Sequence, residues 1–140
     1  MEFNELKQCF MRSPELSALD DASRAFLLSR GEEVSLEPGA VVYAQGAKLD
    51  DTFCVLLRGE VWVEKKGTLV GTIPPNQVFG EMAYFTPEHS RTATVRAGDD
   101  GATVLKVALT AADLHGGRFE GLKEYLGRQA WVRFVSDSQR

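Results

Sequence analysis

The chain has 140 residues, a mass of 15.4 kDa and a formal net charge of −4, with 44% hydrophobic and 26% charged residues. This composition is ordinary for one folded domain and excludes disordered, collagen-like and low-complexity chains. The acidic balance argues against broad binding to nucleic acid, because such binding usually takes a basic face.

Helices are predicted at the start of the chain, over residues 13–31. Ser13 is expected to act as an N-cap, because it precedes Pro14, a residue suited to the first helical position. Asp20 offers a second N-cap, ahead of a helix that we expect to end at Gly31.

From residue 32 to 109 the hydrophobic spacing changes to alternation. Seven or eight short runs are separated by turn residues at roughly 8–12-residue intervals, which is typical of an antiparallel sandwich or roll. Gly59 is expected to end one strand, and residues 98–101 to form a turn between two others. The predicted fold is mainly β with flanking helices: an antiparallel eight-strand β-roll of jelly-roll type.

Closing helices are predicted over residues 110–137. Thr110 can cap a short helix, and a longer one is expected from Phe119 to about Ser136. Near its end the longer helix is apolar on more than one face, so it packs either on the roll or against another chain, as in a homodimer. The predicted organisation is one domain over residues 1–140: helical start 13–31, β-roll 32–109 and closing helices 110–137.

Motifs of the common enzyme classes are missing from the sequence. There is no dinucleotide fingerprint, P-loop, zinc-protease helix or serine nucleophile elbow. The two histidines, His89 and His115, cannot supply the cluster of a cupin-type metal site. We therefore predict no enzyme, no catalytic residue, no metal and no cofactor.

The location of the protein is predicted from two further features. No apolar run approaches the ~20 residues of a membrane span, and the acidic start lacks the apolar segment of a secretory signal. Cys9 and Cys54 lie far apart, with no spacing typical of a disulfide framework. These features favour the cytoplasm.

Residues 79–95 lie in the middle of the predicted roll but lack strand alternation. Gly80 would allow a tight turn, and Glu81 would start a helical turn whose first amides suit an anion. Arg91 and Thr92 can donate to phosphate oxygens, and the Glu81 carboxylate can accept from a ribose hydroxyl. These residues fit a nucleotide site and a plain Glu81–Arg91 salt bridge across the loop equally well.

The same segment resembles the phosphate-binding cassette of cyclic nucleotide-binding domains of the catabolite activator protein type. The family pattern is approximately F-G-E-x-A/G-x, a variable loop, and then R-[ST/A]-A-x-V. The resemblance covers about residues 14–135, including the order of the elements. The matching runs are Phe79-Gly80-Glu81-Met82-Ala83-Tyr84, Arg91-Thr92-Ala93-Thr94-Val95 and, as weaker support, Gly59-Glu60-Val61.

The resemblance implies a role for each matching position. Arg91 would bind the cyclic phosphate, and Glu81 would accept from the ribose 2′-hydroxyl. Thr92 would touch the phosphate or the purine, without deciding between adenine and guanine. The base is expected to stack under the last helix, where Trp131 and Phe134 are the lid candidates, although packing onto the roll explains the same residues. The implied ligand-binding residues are Phe79, Gly80, Glu81, Met82, Ala83, Arg91 and Thr92.

One departure from the family pattern lies just before the cassette. Asn76-Gln77 stands where relatives often have glycine followed by an acidic residue. Asparagine tolerates a positive φ better than most residues, so we expect the turn to survive.

The resemblance implies a stand-alone sensor of cAMP or cGMP. Nothing in the sequence follows Arg140, so we expect no DNA-binding domain and a signal passed to a separate partner protein, with no nucleic acid or membrane as partner. Two alternatives stay open: a ligand-free interaction module on the same fold, and a pocket for another phosphorylated nucleotide such as a cyclic dinucleotide.

Overall fold

The computed structural model describes residues 12–138, in which six strands are flanked by helices at both ends. Two helices, α1 (Pro14–Ser17) and α2 (Asp21–Arg30), come before the strands, and α3 (Ala111–His115) and α4 (Glu120–Ser138) come after them. A 3₁₀ turn, Met82–Tyr84, precedes the last strand. The strands are β1 (Gly31–Leu36), β2 (Val41–Tyr43), β3 (Thr52–Lys65), β4 (Thr68–Ile73), β5 (Val78–Phe79) and β6 (Thr94–Ala108).

Two long strands organise the sheet. Strands β3 and β6, of 14 and 15 residues, pair with each other in antiparallel register, with Val55 opposite Leu105. The strand order is β1-β6-β3-β4, with β2 also paired to β6 and β5 to β3. All of these pairings are antiparallel. The prediction of a mainly β, antiparallel fold with flanking helices is therefore confirmed.

The predicted number of eight strands is wrong, because β3 and β6 continue through their expected breaks. Gly59 has φ +86° and Gly101 has φ +78°, and the β3–β6 register shifts on both sides of Gly59. Glycines in this conformation bend a strand without ending its pairing. A Cβ at Gly59 would lie 2.5 Å from the Gly101 carbonyl oxygen, so the two strands approach closely where they bend.

Two of the three predicted N-caps form the expected hydrogen bond to a backbone amide. Ser13 Oγ accepts from the Leu16 amide at 3.2 Å, and Thr110 Oγ1 accepts from the Asp113 amide at 3.0 Å, so both caps are confirmed. Asp20 occupies the N-cap position of α2, but its carboxylate accepts the Ser23 hydroxyl instead of a backbone amide.

Each of the two hydrophobic clusters includes one aromatic residue of the cassette. The first joins the helices to the sheet and includes Leu27, Tyr84 and Leu126, and the second fills the inside of the roll and includes Tyr43 and Phe79. Burial of each such side chain contributes about 1.5–3 kcal/mol. The cassette is thus anchored at Phe79 in one cluster and at Tyr84 in the other.

Candidate functional site

A cavity of about 210 Å³ opens beside the cassette. Part of its wall comes from β3 and β4, through Val63, Lys65, Val70 and Thr72. The structure brings all of the predicted ligand-binding residues into this one cavity: Phe79, Gly80, Glu81, Met82, Ala83, Arg91 and Thr92.

Arg91 is buried, with 3% of its side chain exposed, and is held by three acceptors. Its guanidinium donates to Asp50 Oδ1 at 2.6 Å, to the Thr52 carbonyl at 2.9 Å and to the Gly80 carbonyl at 2.7 Å. Its Cζ also lies 3.6 Å from the centroid of the Tyr43 ring, within range of a cation–π interaction. A guanidinium has five N–H donors, so three bonds to described residues leave donors for an anion.

Asp50 keeps its negative charge beside Arg91. Burial raises the pKa of this carboxyl, but hydrogen bonds from Thr52 and Arg91 outweigh burial and hold the pKa below its usual range. The carboxylate is half exposed, which lets solvent share in its stabilisation. The cavity therefore has an oriented guanidinium at this end.

Gly80 allows the backbone to approach Arg91. Its φ is +84°, and a Cβ there would lie 2.5 Å from Tyr43 Cε2 and 3.1 Å from Arg91 Nη1. A side chain at this position would strain the turn and collide with the ring. The glycine is required by backbone conformation and by close approach together.

Glu81 is fully buried and pairs with an arginine from α4. Nη1 of Arg133 donates to both carboxylate oxygens, at 2.7 Å for Oε2, and Nη2 donates to the Val78 carbonyl at 2.6 Å. Burial raises the pKa of the Glu81 carboxyl, and the charge of Arg133 offsets this only in part. Glu81 and Arg91 thus have separate partners, which excludes the alternative of a salt bridge between them.

The backbone of the cassette forms the expected helical turn. Met82–Tyr84 is a single 3₁₀ turn that follows Glu81, and the preceding Asn76 has φ +73°, as predicted. The Thr92 hydroxyl lies 3.7 Å from the Met82 sulfur, which is a weak acceptor. This hydroxyl can therefore turn to a stronger partner.

The predicted lid is not formed by Trp131 in this structure. Trp131 is 65% exposed and lies outside the set of described residues that line the cavity. The side chain of Phe134 lies outside the described part, so the lid assignment stays a prediction. Arg133 and Tyr43 line the cavity and Asp50 contacts Arg91, although the sequence does not predict any of the three as site residues.

Neither histidine lines the cavity. His89 is exposed in a loop, and Nε2 of His115 lies 2.9 Å from the Tyr84 carbonyl oxygen, where it links α3 to the cassette. Residues 12–138 contain no group of three or more histidine, cysteine or acidic side chains that could hold a metal ion. No helix within these residues is long and apolar enough to cross a membrane.

Comparisons with solved structures show the same fold in proteins of low sequence identity. A protein from Geobacter metallireducens GS-15 assigned as a cyclic nucleotide-binding protein superposes with a TM-score of 0.73 at 19% identity, covering 95% of this chain and 99% of that one. The sensor domain of the transcriptional regulator DNR from Pseudomonas aeruginosa gives 0.69 at 19%, covering 98% and 91%. The regulatory domain of Toxoplasma gondii PKA, solved with cAMP, gives 0.66 at 18%, covering 78% and 42%.

Comparisons of the sequence itself identify the family. Among curated proteins, no sequence matches this chain. The profile of the cyclic nucleotide-binding domain matches residues 33–113, which is more than half of the chain and includes the whole cassette. The chain therefore belongs to the cyclic nucleotide-binding domain family.

Proposed function

We propose that this protein is a cytoplasmic sensor that binds a cyclic mononucleotide, cAMP or cGMP, and signals through its terminal helices to a partner protein. The observation that carries this proposal is the presence of Arg91 and Glu81 on one cavity, each with its own partner. A guanidinium for the phosphate and a carboxylate for the ribose are the two groups that such a ligand needs.

The cassette itself offers one cationic group, which suits one phosphate better than two. Arg91 is held in a single orientation by Asp50 and two carbonyls, and it keeps donors for one anionic group. A cyclic mononucleotide has one phosphodiester charge, which a single guanidinium can match. The cassette has no second arginine for the second phosphate of a cyclic dinucleotide, and the other cations of the cavity wall, Lys65 and Arg133, come from β3 and α4.

The residues of the cavity suit binding of a nucleotide and not its cleavage. Cleavage of a phosphodiester needs a metal ion or a base placed beside the phosphate. Arg91 is a donor that stays protonated and cannot act as a base, and the Glu81 carboxylate is assigned to the ribose and not to the phosphate. The family consists of regulatory binding domains, and the structural neighbour solved with cAMP further supports a ligand of this class.

Thermal unfolding with millimolar cAMP, cGMP or a cyclic dinucleotide tests the proposal. A ligand at ~100 times its Kd adds about 2.7 kcal/mol to the unfolding free energy, which raises Tm by several degrees for a domain of this size. We expect this shift with one cyclic mononucleotide and its loss in Arg91→Ala. Arg58→Ala is the matched control, because Arg58 is exposed and lies near Glu33, outside the cavity.

Either result has a defined meaning. A shift in Tm that is still observed in Arg91→Ala would show that Arg91 does not bind the phosphate. No shift with any nucleotide would overturn the sensor proposal and favour a ligand-free interaction module.

A further inference from the structure

The aromatic ring of Tyr43, on β2, lies against the face of the Arg91 guanidinium. Arg91 Cζ is 3.6 Å from the ring centroid, and both residues are buried. Lys106 Nζ is 6.0 Å from the same centroid, at the limit of a cation–π interaction, so Arg91 is the main cation at this ring. A cation–π interaction is strongest where the two groups are shielded from water, as they are here.

The ring and the hydrogen bonds of Arg91 restrict different motions of the guanidinium. The bonds to Asp50 and to the carbonyls of Thr52 and Gly80 come from Nη1 and Nη2. Because a guanidinium is planar and donates close to its plane, these bonds fix its position within that plane. The stacked ring instead restricts the tilt of the plane. Both restraints are needed to aim the remaining donors at a ligand.

The position of the ring is set by contacts with two residues of the cassette. The rings of Tyr43 and Phe79 meet edge to face, with centroids 6.1 Å apart. A Cβ at Gly80 would lie 2.5 Å from Tyr43 Cε2, so the backbone of the cassette also lies directly against the ring. The same ring therefore contacts the cassette and its arginine.

The Tyr43 hydroxyl belongs to a chain of hydrogen bonds that ends at Asp50. Thr52 Oγ1 donates to Asp50 Oδ1 at 2.7 Å, since an ionised carboxylate only accepts. Having one proton, Thr52 Oγ1 must accept from the Tyr43 hydroxyl at 3.0 Å, which in turn accepts from the Cys54 thiol at 3.4 Å. Burial raises the pKa of the Tyr43 hydroxyl and of the Cys54 thiol, so both keep the protons that this direction requires. The chain ends on the carboxylate that holds Arg91.

We propose that Tyr43 is the positioning residue of Arg91. Its ring sets the tilt of the guanidinium, and its hydroxyl acts through Thr52 on Asp50, which holds the same guanidinium. This role rests on the proposed function, in which Arg91 binds the phosphate. Tyr43 lies outside the cassette in sequence, and it would orient the arginine before any nucleotide binds.

Calorimetric titration of cAMP and of cGMP compares the wild type with three variants. Tyr43→Leu removes the ring, and we expect about tenfold weaker binding or worse, as the loss of a shielded cation–π interaction predicts. Tyr43→Phe keeps the ring and loses only the hydroxyl, so its binding should be at most about threefold weaker. Val61→Ala is the matched control, because Val61 is buried in the same hydrophobic cluster and is outside the described lining of the cavity. Its affinity should match the wild type.

The outcomes separate the positioning role from the proposed function. Unchanged binding by Tyr43→Leu, or an equal loss in Val61→Ala, would overturn the positioning role and leave the proposed function in place. Equal losses in Tyr43→Leu and Tyr43→Phe would overturn the role of the ring. No binding by the wild type would overturn the proposed function, and the positioning role with it.

Thr52→Val tests the hydroxyl chain and leaves the ring in place. The substitution keeps the backbone carbonyl that accepts from Arg91 but removes the donor to Asp50. We expect about threefold weaker binding of the nucleotide. Unchanged binding would overturn the role of the chain. This variant also carries the test if Tyr43→Leu does not fold.

The NMR signal of the Arg91 Nε proton reports on the ring without depending on stability or ligand. A proton held over the face of an aromatic ring resonates upfield of its usual position. We expect this upfield shift in the wild type, Tyr43→Phe and Val61→Ala, and its loss in Tyr43→Leu, with the signal assigned by its absence in Arg91→Lys. A wild-type signal at the usual position would overturn the ring contact.

Discussion

The two ends of the cavity are built from different parts of the molecule. Arg91 is held by Asp50, Thr52 and Gly80, which belong to the sheet, its loops and the cassette. Glu81 is held by Arg133, which belongs to the terminal helix. Both Arg91 and Glu81 are buried, so burial alone does not distinguish the two ends.

The origin of the partner is what distinguishes them. Thr52 begins β3, Asp50 lies in the loop before it and Gly80 directly follows β5, so none of the partners of Arg91 belongs to α4. The partner of Glu81, in contrast, belongs to α4. The cavity thus has one cassette residue held from outside α4 and one held by α4.

Substitution of Gly80, which lies against Arg91, should lower the free energy of unfolding more than the other substitutions. Gly80→Ala adds both strain at φ +84° and a collision with the Tyr43 ring. We expect a loss of about 2–4 kcal/mol in the free energy of unfolding. Denaturant titration measures it.

Gly46→Ala is the matched control for that experiment. Gly46 has φ +85°, but a Cβ there would meet nothing within 4 Å, so only the conformational cost applies. The difference between the two variants therefore isolates the close approach at Arg91 and Tyr43. Equal losses in both variants would show that the contact of Gly80 with Tyr43 and Arg91 does not contribute to the loss of stability.

Glu81→Gln should remove one source of the pH dependence of the free energy of unfolding, at the end of the cavity where Arg133 contacts Glu81. The folded-state pKa of Glu81 is raised above its usual value of 4.5, first by burial. Its contribution is therefore fully present below that value and is lost as pH rises through the folded-state pKa. The difference in the free energy of unfolding between the wild type and Glu81→Gln should therefore fall as pH rises from 4.5 through the folded-state pKa. Denaturant titrations at a series of pH values measure this difference. A constant difference would contradict the raised pKa.

Asp50→Asn should have a smaller effect, with the opposite sign. The pKa of Asp50 is held below its usual value of 3.8 by hydrogen bonds from Thr52 and Arg91, against the effect of burial. Its contribution is present above that value and is lost as pH falls through the folded-state pKa. Because Asp50 is half exposed, we expect the variant to lose only about 0.2–1 kcal/mol at neutral pH. The same pH series checks this, and a difference that grows in acid would contradict it.

The local features of the site could be predicted from the sequence. Gly80, the helical turn after Glu81 and the positive φ of Asn76 follow from residue type and spacing within a short segment. The caps at Ser13 and Thr110 are of the same kind. These features depend on a few neighbouring residues, which is why the pattern was sufficient.

The partners of the two charged residues could not be predicted in this way. Asp50 lies 41 positions from Arg91, and Arg133 lies 52 positions from Glu81. No local spacing links such pairs, because they meet only after the sheet and α4 have packed. The number of strands could not be predicted for the same reason. Gly59 has the sequence features of a strand break, and its close approach to Gly101 exists only in the folded sheet.

The anchoring of the cassette in two hydrophobic clusters has a consequence for engineering. Phe79 packs inside the roll, whereas Tyr84 packs among the helices and donates its hydroxyl to the Leu109 carbonyl at 2.7 Å. Transplanting this segment into another scaffold as an isolated loop would leave both aromatic side chains without their surroundings. A working graft would have to carry the inside of the roll and the helix-facing core along with the loop.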